Sequence, residues 1–204
     1  MNPWRTRLER WLAPAARKCP LSPNAVSVIA LVLSACAAAL LYTRHFLLAI
    51  ILIAISGLAD SFDGVVARAQ GKGSRYGDFL DHFCDRVSDL LIMGGWLFGN
   101  GVRVEILTAV LVGVMLNGYI GTQIEATWHE RNYDSVGRGE FVLALIVFPI
   151  VSHILDDNQW NETAAAGLRV AEWMSLLLVA FAILGIVQRF VLAAKLERAG
   201  RNSA

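Results

Sequence analysis

The chain has 204 residues, is 56% apolar, has a mean hydropathy of +0.52 and carries a net charge of +1. The apolar excess argues against an ordinary soluble domain, and the near-zero charge excludes a bulk electrostatic pull toward nucleic acid. Three cysteines, Cys19, Cys36 and Cys84, are an odd number without metal-type spacing, which excludes a disulfide framework and leaves them as packing residues.

Residues 1–20 are short, basic and amphipathic. Trp4, Leu8, Trp11 and Leu12 follow helical spacing, with Arg5, Arg7 and Arg10 largely off that line. This pattern predicts a helix lying in the membrane interface. A signal peptide fits poorly, because the apolar run begins only after Pro23 and is long enough to span. A six-helix core is expected over residues 24–195. Its spans are Asn24 to Tyr42, Leu47 to about Ala69, Asp78 to about Gly99, Ile106 to about Ile124, Phe141 to Ile154 with flanking residues, and Trp173 to Ala194. The fifth has the shortest apolar core and contains Pro149. The expected fold is an all-α integral membrane protein, residues 1–204 forming a single membrane-embedded domain of six transmembrane helices preceded by an interfacial amphipathic helix. With both termini in the cytoplasm, Arg44, Arg103 and Arg169 fall outside, while the other 15 of the 18 basic residues fall on or near the inner side. The expected location is therefore the cell (inner) membrane, multi-pass, with the active site at the cytoplasmic face.

Four carboxylates interrupt the ends of the second and third spans: Asp60, Asp63, Asp81 and Asp85. Ionisable groups in such segments are costly and point to function. Asp60 and Asp63 are i,i+3 and share one helix face, while Asp81 and Asp85 are i,i+4 and share another. If the helices lie side by side, joined by the turn Gly71-Lys72-Gly73-Ser74, all four converge. Their mutual repulsion then calls for hard divalent cations. Helix capping by Asp60, Asp63, Asp78 or Asp81 is the structural alternative. It accounts for one or two carboxylates and not for four, nor for Gly64, Ala67, Arg68 and Gly77 among them.

The stretch resembles the signature of the CDP-alcohol phosphotransferase family, D-x2-D-G-x2-A-R-x8-G-x3-D-x3-D. Asp60, Asp63, Gly64, Ala67, Arg68, Gly77, Asp81 and Asp85 match every fixed position. The resemblance implies transfer of a phosphatidyl or archaetidyl group from a CDP-linked lipid, such as CDP-diacylglycerol or its archaeal ether equivalent, to a small polar alcohol, with release of CMP. By position, Asp60, Asp63, Asp81 and Asp85 match metal ligands for two Mg²⁺ or Mn²⁺ ions, and Asp85 also matches the general base. Gly64, Arg68 and Ser74 match contacts to the nucleotide diphosphate. The segment Asn24-Ala25-Val26-Ser27 is similar to the family's first-helix P-N-x-x-T segment, which helps hold the CDP-lipid; Ser27 keeps the hydroxyl, and a helix cap is the alternative role for Asn24. A homodimer is implied by the family alone.

In layout the chain resembles the small prokaryotic members that make phosphatidylinositol phosphate. They hold the acceptor's phosphate with serine and basic residues on the fourth helix and at the start of the fifth. Here Gly118 to Glu125 has no basic residue, so Arg138 and Arg189 are the candidate acceptor contacts, and the departure leans toward an uncharged or differently held alcohol. His82 lies about 100° around the helix from Asp81 and is expected to point away from the cluster. A UbiA-like prenyltransferase would need more helices and a second aspartate motif, and would release pyrophosphate. A cation carrier would place its acids at mid-depth, in a broken helix pair.

Overall fold

The computed structural model describes residues 12–128, 138–157 and 166–202, with the side chains of 138–140 and 200–202 outside that description. Its regular elements are helices: α1 (Pro23–Tyr42), α2 (Phe46–Gln70), α3 (Arg75–Gly99), α4 (Val104–Trp128), α5 (Arg138–Asp157) and α6 (Val170–Asn202). A short helical stretch at residues 12–18 precedes them. Each expected span corresponds to one helix. Of the expected interfacial helix, Trp4, Arg5, Arg7, Leu8, Arg10 and Trp11 lie outside the described residues.

Among the described residues, four helices are long and apolar enough to cross a membrane: α1, α2, α4 and α6 over Val170–Ala199. Their outward faces carry Val32, Leu47, Leu58, Phe190 and Val191 in the open. An apolar surface of this extent suits lipid and not water. α3 falls short because Asp78, Asp81, Asp85, Arg86 and Asp89 lie between its start and its middle turns, and the apolar run of α5 is bounded by Glu140 and Asp156.

The chain forms two compact units, Met1–Gly95 and Trp96–Ala204. In the first, the helix ends are closed by residues other than the aspartates. Ser22 caps α1, its Oγ accepting from the Ala25 N–H at 3.2 Å, with Pro23 at the first helical position. Gly71 ends α2 in the left-handed region at φ 63°, and the N–H groups of Gly71 and Lys72 return to the carbonyls of Arg68 and Ala67. Ser74 caps α3, its Oγ accepting from the Gly77 N–H at 3.0 Å. Asn24, Asp60, Asp63, Asp78 and Asp81 are thus not needed as caps.

α1 and α2 pack through a buried polar pair. Ser56 donates to the Ala30 carbonyl at 2.8 Å, so Ser34 donates to Ser56 at 2.7 Å. α3 approaches α1 closely enough that a Cβ on Gly95 would lie 2.8 Å from the Ala38 Cα. The 12–18 stretch docks on the last turns of α2: Ala16, Val65 and Val66 are buried together, with Leu12, Cys19, Phe62 and Ala69 around them. Gln70 Nε2 completes the junction by donating to the carbonyls of Ala16 at 3.0 Å and Cys19 at 2.9 Å.

In the second unit, α4 and α6 meet at small residues, a pattern that lets membrane helices approach. A Cβ on Gly113 would sit 3.0 Å from the Ala182 Cβ. Trp96, at the end of α3, donates its Nε1–H to Ser152 Oγ of α5 at 2.9 Å and packs against Phe148 with ring centroids 5.1 Å apart. Glu172 is a buried carboxylate with its partners supplied: Arg103 Nε at 2.8 Å and the Arg169 backbone N–H at 3.0 Å.

Candidate functional site

α2 carries Asp60 and Asp63 one turn apart, and the tight Gly71–Ser74 turn folds the chain back so that α3 presents Asp81 and Asp85. Carboxylate oxygens of Asp60, Asp63 and Asp81 all lie within 4.8 Å of one another. Asp85 joins them through hydrogen-bonding contact with Asp60. The four acids converge as their spacing predicts, with Asp63 and Asp85 buried and Asp60 and Asp81 half-buried. Like charges this close need shared protons or a counter-cation. A set of oxygen donors fits Mg²⁺ or Mn²⁺ in charge and hardness.

α1 contributes to the same cluster. Ser27 is buried, and its Oγ lies 2.5 Å from Asp63 Oδ2. The hydroxyl expected to help hold a lipid nucleotide donates to an aspartate of the cluster. Asn24, one turn earlier, meets the start of α3. A Cβ on Gly77 would lie 3.1 Å from Asn24 Oδ1 and 3.2 Å from Ser74 Oγ, so glycine is what lets these two polar groups approach the helix here. Ala25 is half-buried and Val26 buried beside them. Ser74 spends a lone pair on capping, while its O–H can still donate.

Gly64, expected as a contact to the nucleotide diphosphate, lies beside Arg68. The Arg68 guanidinium folds back over it, with Nη1 3.4 Å from where a Gly64 Cβ would be. The low face at Gly64 therefore seats a planar cation suited to phosphate oxygens.

His82 corrects the expectation that it points away. One of its ring nitrogens lies within 4.8 Å of carboxylate oxygens on Asp81 and Asp85, and Nε2 is 3.9 Å from Asp78 Oδ1. Measured from Asp85 the angular offset is only about 60° by the helical period, and that i,i+3 relation was the available signal. Of the candidate acceptor contacts, the Arg138 side chain lies outside the described residues. Arg189 of α6 lies against α4: its Nη1 donates to the Asn117 carbonyl at 2.5 Å, and a Cβ on Gly121 would be 3.1 Å from its Nε. The Gly118–Glu125 stretch lacks a basic residue of its own, yet a guanidinium from another helix lies on it.

The family described as CDP-alcohol phosphatidyltransferase matches residues 20–184. Among curated relatives, archaetidylinositol phosphate synthase of Pyrococcus horikoshii is 34% identical over 99 residues, 48% of this chain and 53% of that protein. The chain thus aligns with only about half the length of that relative. Phosphatidylinositol phosphate synthase of Corynebacterium glutamicum is 28% identical over 186 residues, 87% of this chain and 80% of that protein. Among solved structures, phosphatidylinositol phosphate synthase of Mycobacterium tuberculosis with CDP-DAG bound superposes with a TM-score of 0.69 at 22% identity, covering 93% of this chain and 92% of that one. The same enzyme in complex with manganese and citrate gives 0.68 at 23% identity, covering 93% and 88%. At these identities the structural likeness establishes the fold.

Proposed function

The chain belongs to the CDP-alcohol phosphatidyltransferase family, and from that premise we propose that it transfers a phosphatidyl or archaetidyl group from a CDP-linked lipid to the hydroxyl of a small polar alcohol, releasing CMP. The observation that carries this reading is the convergence of Asp60, Asp63, Asp81 and Asp85 from two helices, with Arg68 folded over Gly64 one turn away. Mg²⁺ or Mn²⁺, two ions by the family pattern, would be held by the four aspartates and would supply Lewis-acid stabilisation of diphosphate charge. The manganese in the Mycobacterium tuberculosis neighbour supports that choice of ion.

Residue roles follow from chemistry and position. Arg68 presents its fork to phosphate oxygens. Asn24 and Ser74, meeting over Gly77, are suited to hydrogen-bond the polar head of the nucleotide. Asp85, a turn deeper into α3 than Asp81, accepts the acceptor hydroxyl's proton on a carboxylate oxygen. The acceptor oxygen then bonds to the β-phosphorus as the bond to the CMP oxygen breaks.

We take inositol phosphate, the headgroup in the relatives' names, as the first acceptor to test. Arg189 on the Gly121 face of α4 supports an anionic acceptor, against the lean toward an uncharged one drawn from sequence. The six helices are read as six spans, with both termini and the aspartate cluster at the cytoplasmic face of the cell membrane, on the basic-residue asymmetry. A homodimer rests on family resemblance.

The test is CMP release from CDP-diacylglycerol and its ether analogue, in detergent with Mg²⁺, against inositol phosphate, glycerol phosphate, inositol, glycerol and serine. CMP release with inositol phosphate is expected. Release with uncharged alcohols alone would overturn the acceptor assignment. Pyrophosphate release from a prenyl diphosphate, with no CMP from any pair, would overturn the reaction.

A further inference from the structure

Ser27 sits in the first turns of α1, 36 residues before the aspartate it meets. Its side chain is buried, at 4% exposure, and Asp63 is buried at 5%. A hydroxyl has one proton and faces two acceptors here: Asp63 Oδ2 at 2.5 Å and the Pro23 carbonyl at 3.2 Å. The charged, nearer acceptor takes it, because hydrogen bonds to carboxylates are shorter and stronger than neutral ones. The Pro23 carbonyl then stands as the alternative acceptor, one helical turn back.

We propose that Ser27 is a positioning residue: its hydroxyl fixes the rotation of the Asp63 carboxylate, which with Asp60 and Asp81 would hold a divalent cation, and it acts on CDP-lipid binding through that carboxylate. Asp63 lies among three other carboxylates, which push against its charge. A neutral O–H dipole offsets part of that repulsion without bringing in a cation that would compete with metal. The partner also has to be rigid. Ser27 is rigid because the α1 start is capped at Ser22 and α1 is tied to α2 again at Ser34 and Ser56. Outer-shell hydrogen bonds of this kind orient ligating carboxylates and tune metal affinity.

This inference rests on the metal reading of the site, so the experiment reads metal directly. Mn²⁺ binding to the purified full-length protein in detergent is measured by electron paramagnetic resonance, without CDP-lipid. Ser27→Ala is expected to bind Mn²⁺ about 10- to 100-fold more weakly, the usual range for a lost outer-shell partner. Ser27→Thr keeps the hydroxyl and is expected to stay within about threefold of wild type. At saturating Mn²⁺, the KM of Ser27→Ala for CDP-diacylglycerol is expected to return to near the wild-type value. Should Ser27→Ala not be recoverable as folded protein, Ser27→Cys carries the same comparison, since a thiol is a weaker donor of similar shape. Wild-type Mn²⁺ affinity in Ser27→Ala or Ser27→Cys, or a KM defect that excess Mn²⁺ does not relieve, overturns the inference alone. Absence of Mn²⁺ binding by the wild type overturns the metal reading and the inference with it.

Discussion

Asp63 and Asp85 are both buried acids, but their surroundings differ. Asp63 receives a hydroxyl donor from α1, whereas Asp85 faces another carboxyl, that of Asp60. The first environment suits a fixed ligand. On the proposed mechanism, Asp85→Asn keeps a neutral oxygen for metal but loses the base. Turnover is expected to fall by about 10²-fold or more, the range for a lost general base, with CDP-lipid binding retained in part. Asp63→Asn is expected to weaken metal binding, and excess Mg²⁺ should restore part of its activity while leaving Asp85→Asn unrescued. A Mg²⁺ titration of both variants makes the comparison. Near-normal turnover in Asp85→Asn together with an inactive His82→Ala would move the base to His82, which the structure brings to the edge of the cluster. The acids themselves were legible in sequence because their spacing is local, i,i+3 and i,i+4 on predicted helices. The Ser27–Asp63 bond was not, because it depends on how α1 packs on α2, and no periodicity encodes that.

At the level of helices, the six apolar stretches were readable from length and hydropathy, and α3 to α6 each extend a few residues beyond the expected span. Their ends were less readable. Asn24 and Asp78 look as good as caps as Ser22 and Ser74 do, and only the backbone geometry distinguishes them. Close helix contacts were also hidden, as neighbouring glycines illustrate. Gly94 has open space where a Cβ would go, while a Cβ on Gly95 would meet the Ala38 backbone. Gly95→Ala is therefore expected to destabilise the protein by about 1–3 kcal/mol, the usual cost of overpacking. Gly94→Ala should be neutral or stabilising by up to about 1 kcal/mol, since alanine is the better helix former. Thermal unfolding of the two variants in one detergent compares them. Equal effects would mean that α3 does not approach α1 as described.

For the molecule in its membrane, the basic residues are the guide. Arg44 lies between α1 and α2, and Arg103 and Arg169 meet at Glu172; these are the three assigned to the outer side. On the proposed topology the remaining basic residues belong to the other side, with both termini in the cytoplasm. A cysteine placed at position 201, in a chain lacking Cys19, Cys36 and Cys84, is expected to resist membrane-impermeant thiol reagents in intact cells and to react once the cells are opened. Labelling from outside would reverse the orientation. The start of the chain is easy to overlook in this picture, because its composition marks it as an appendage to the helical core. Yet the amide of Gln70, two residues beyond Arg68, is anchored on the carbonyls of Ala16 and Cys19. Anyone trimming the first twenty residues to obtain a tidier protein would strip that amide of both acceptors and uncover Val65 and Val66. The loss would fall on the turn that aligns α2 with α3, and a preparation shortened in this way could lose activity with every residue of the aspartate motif intact.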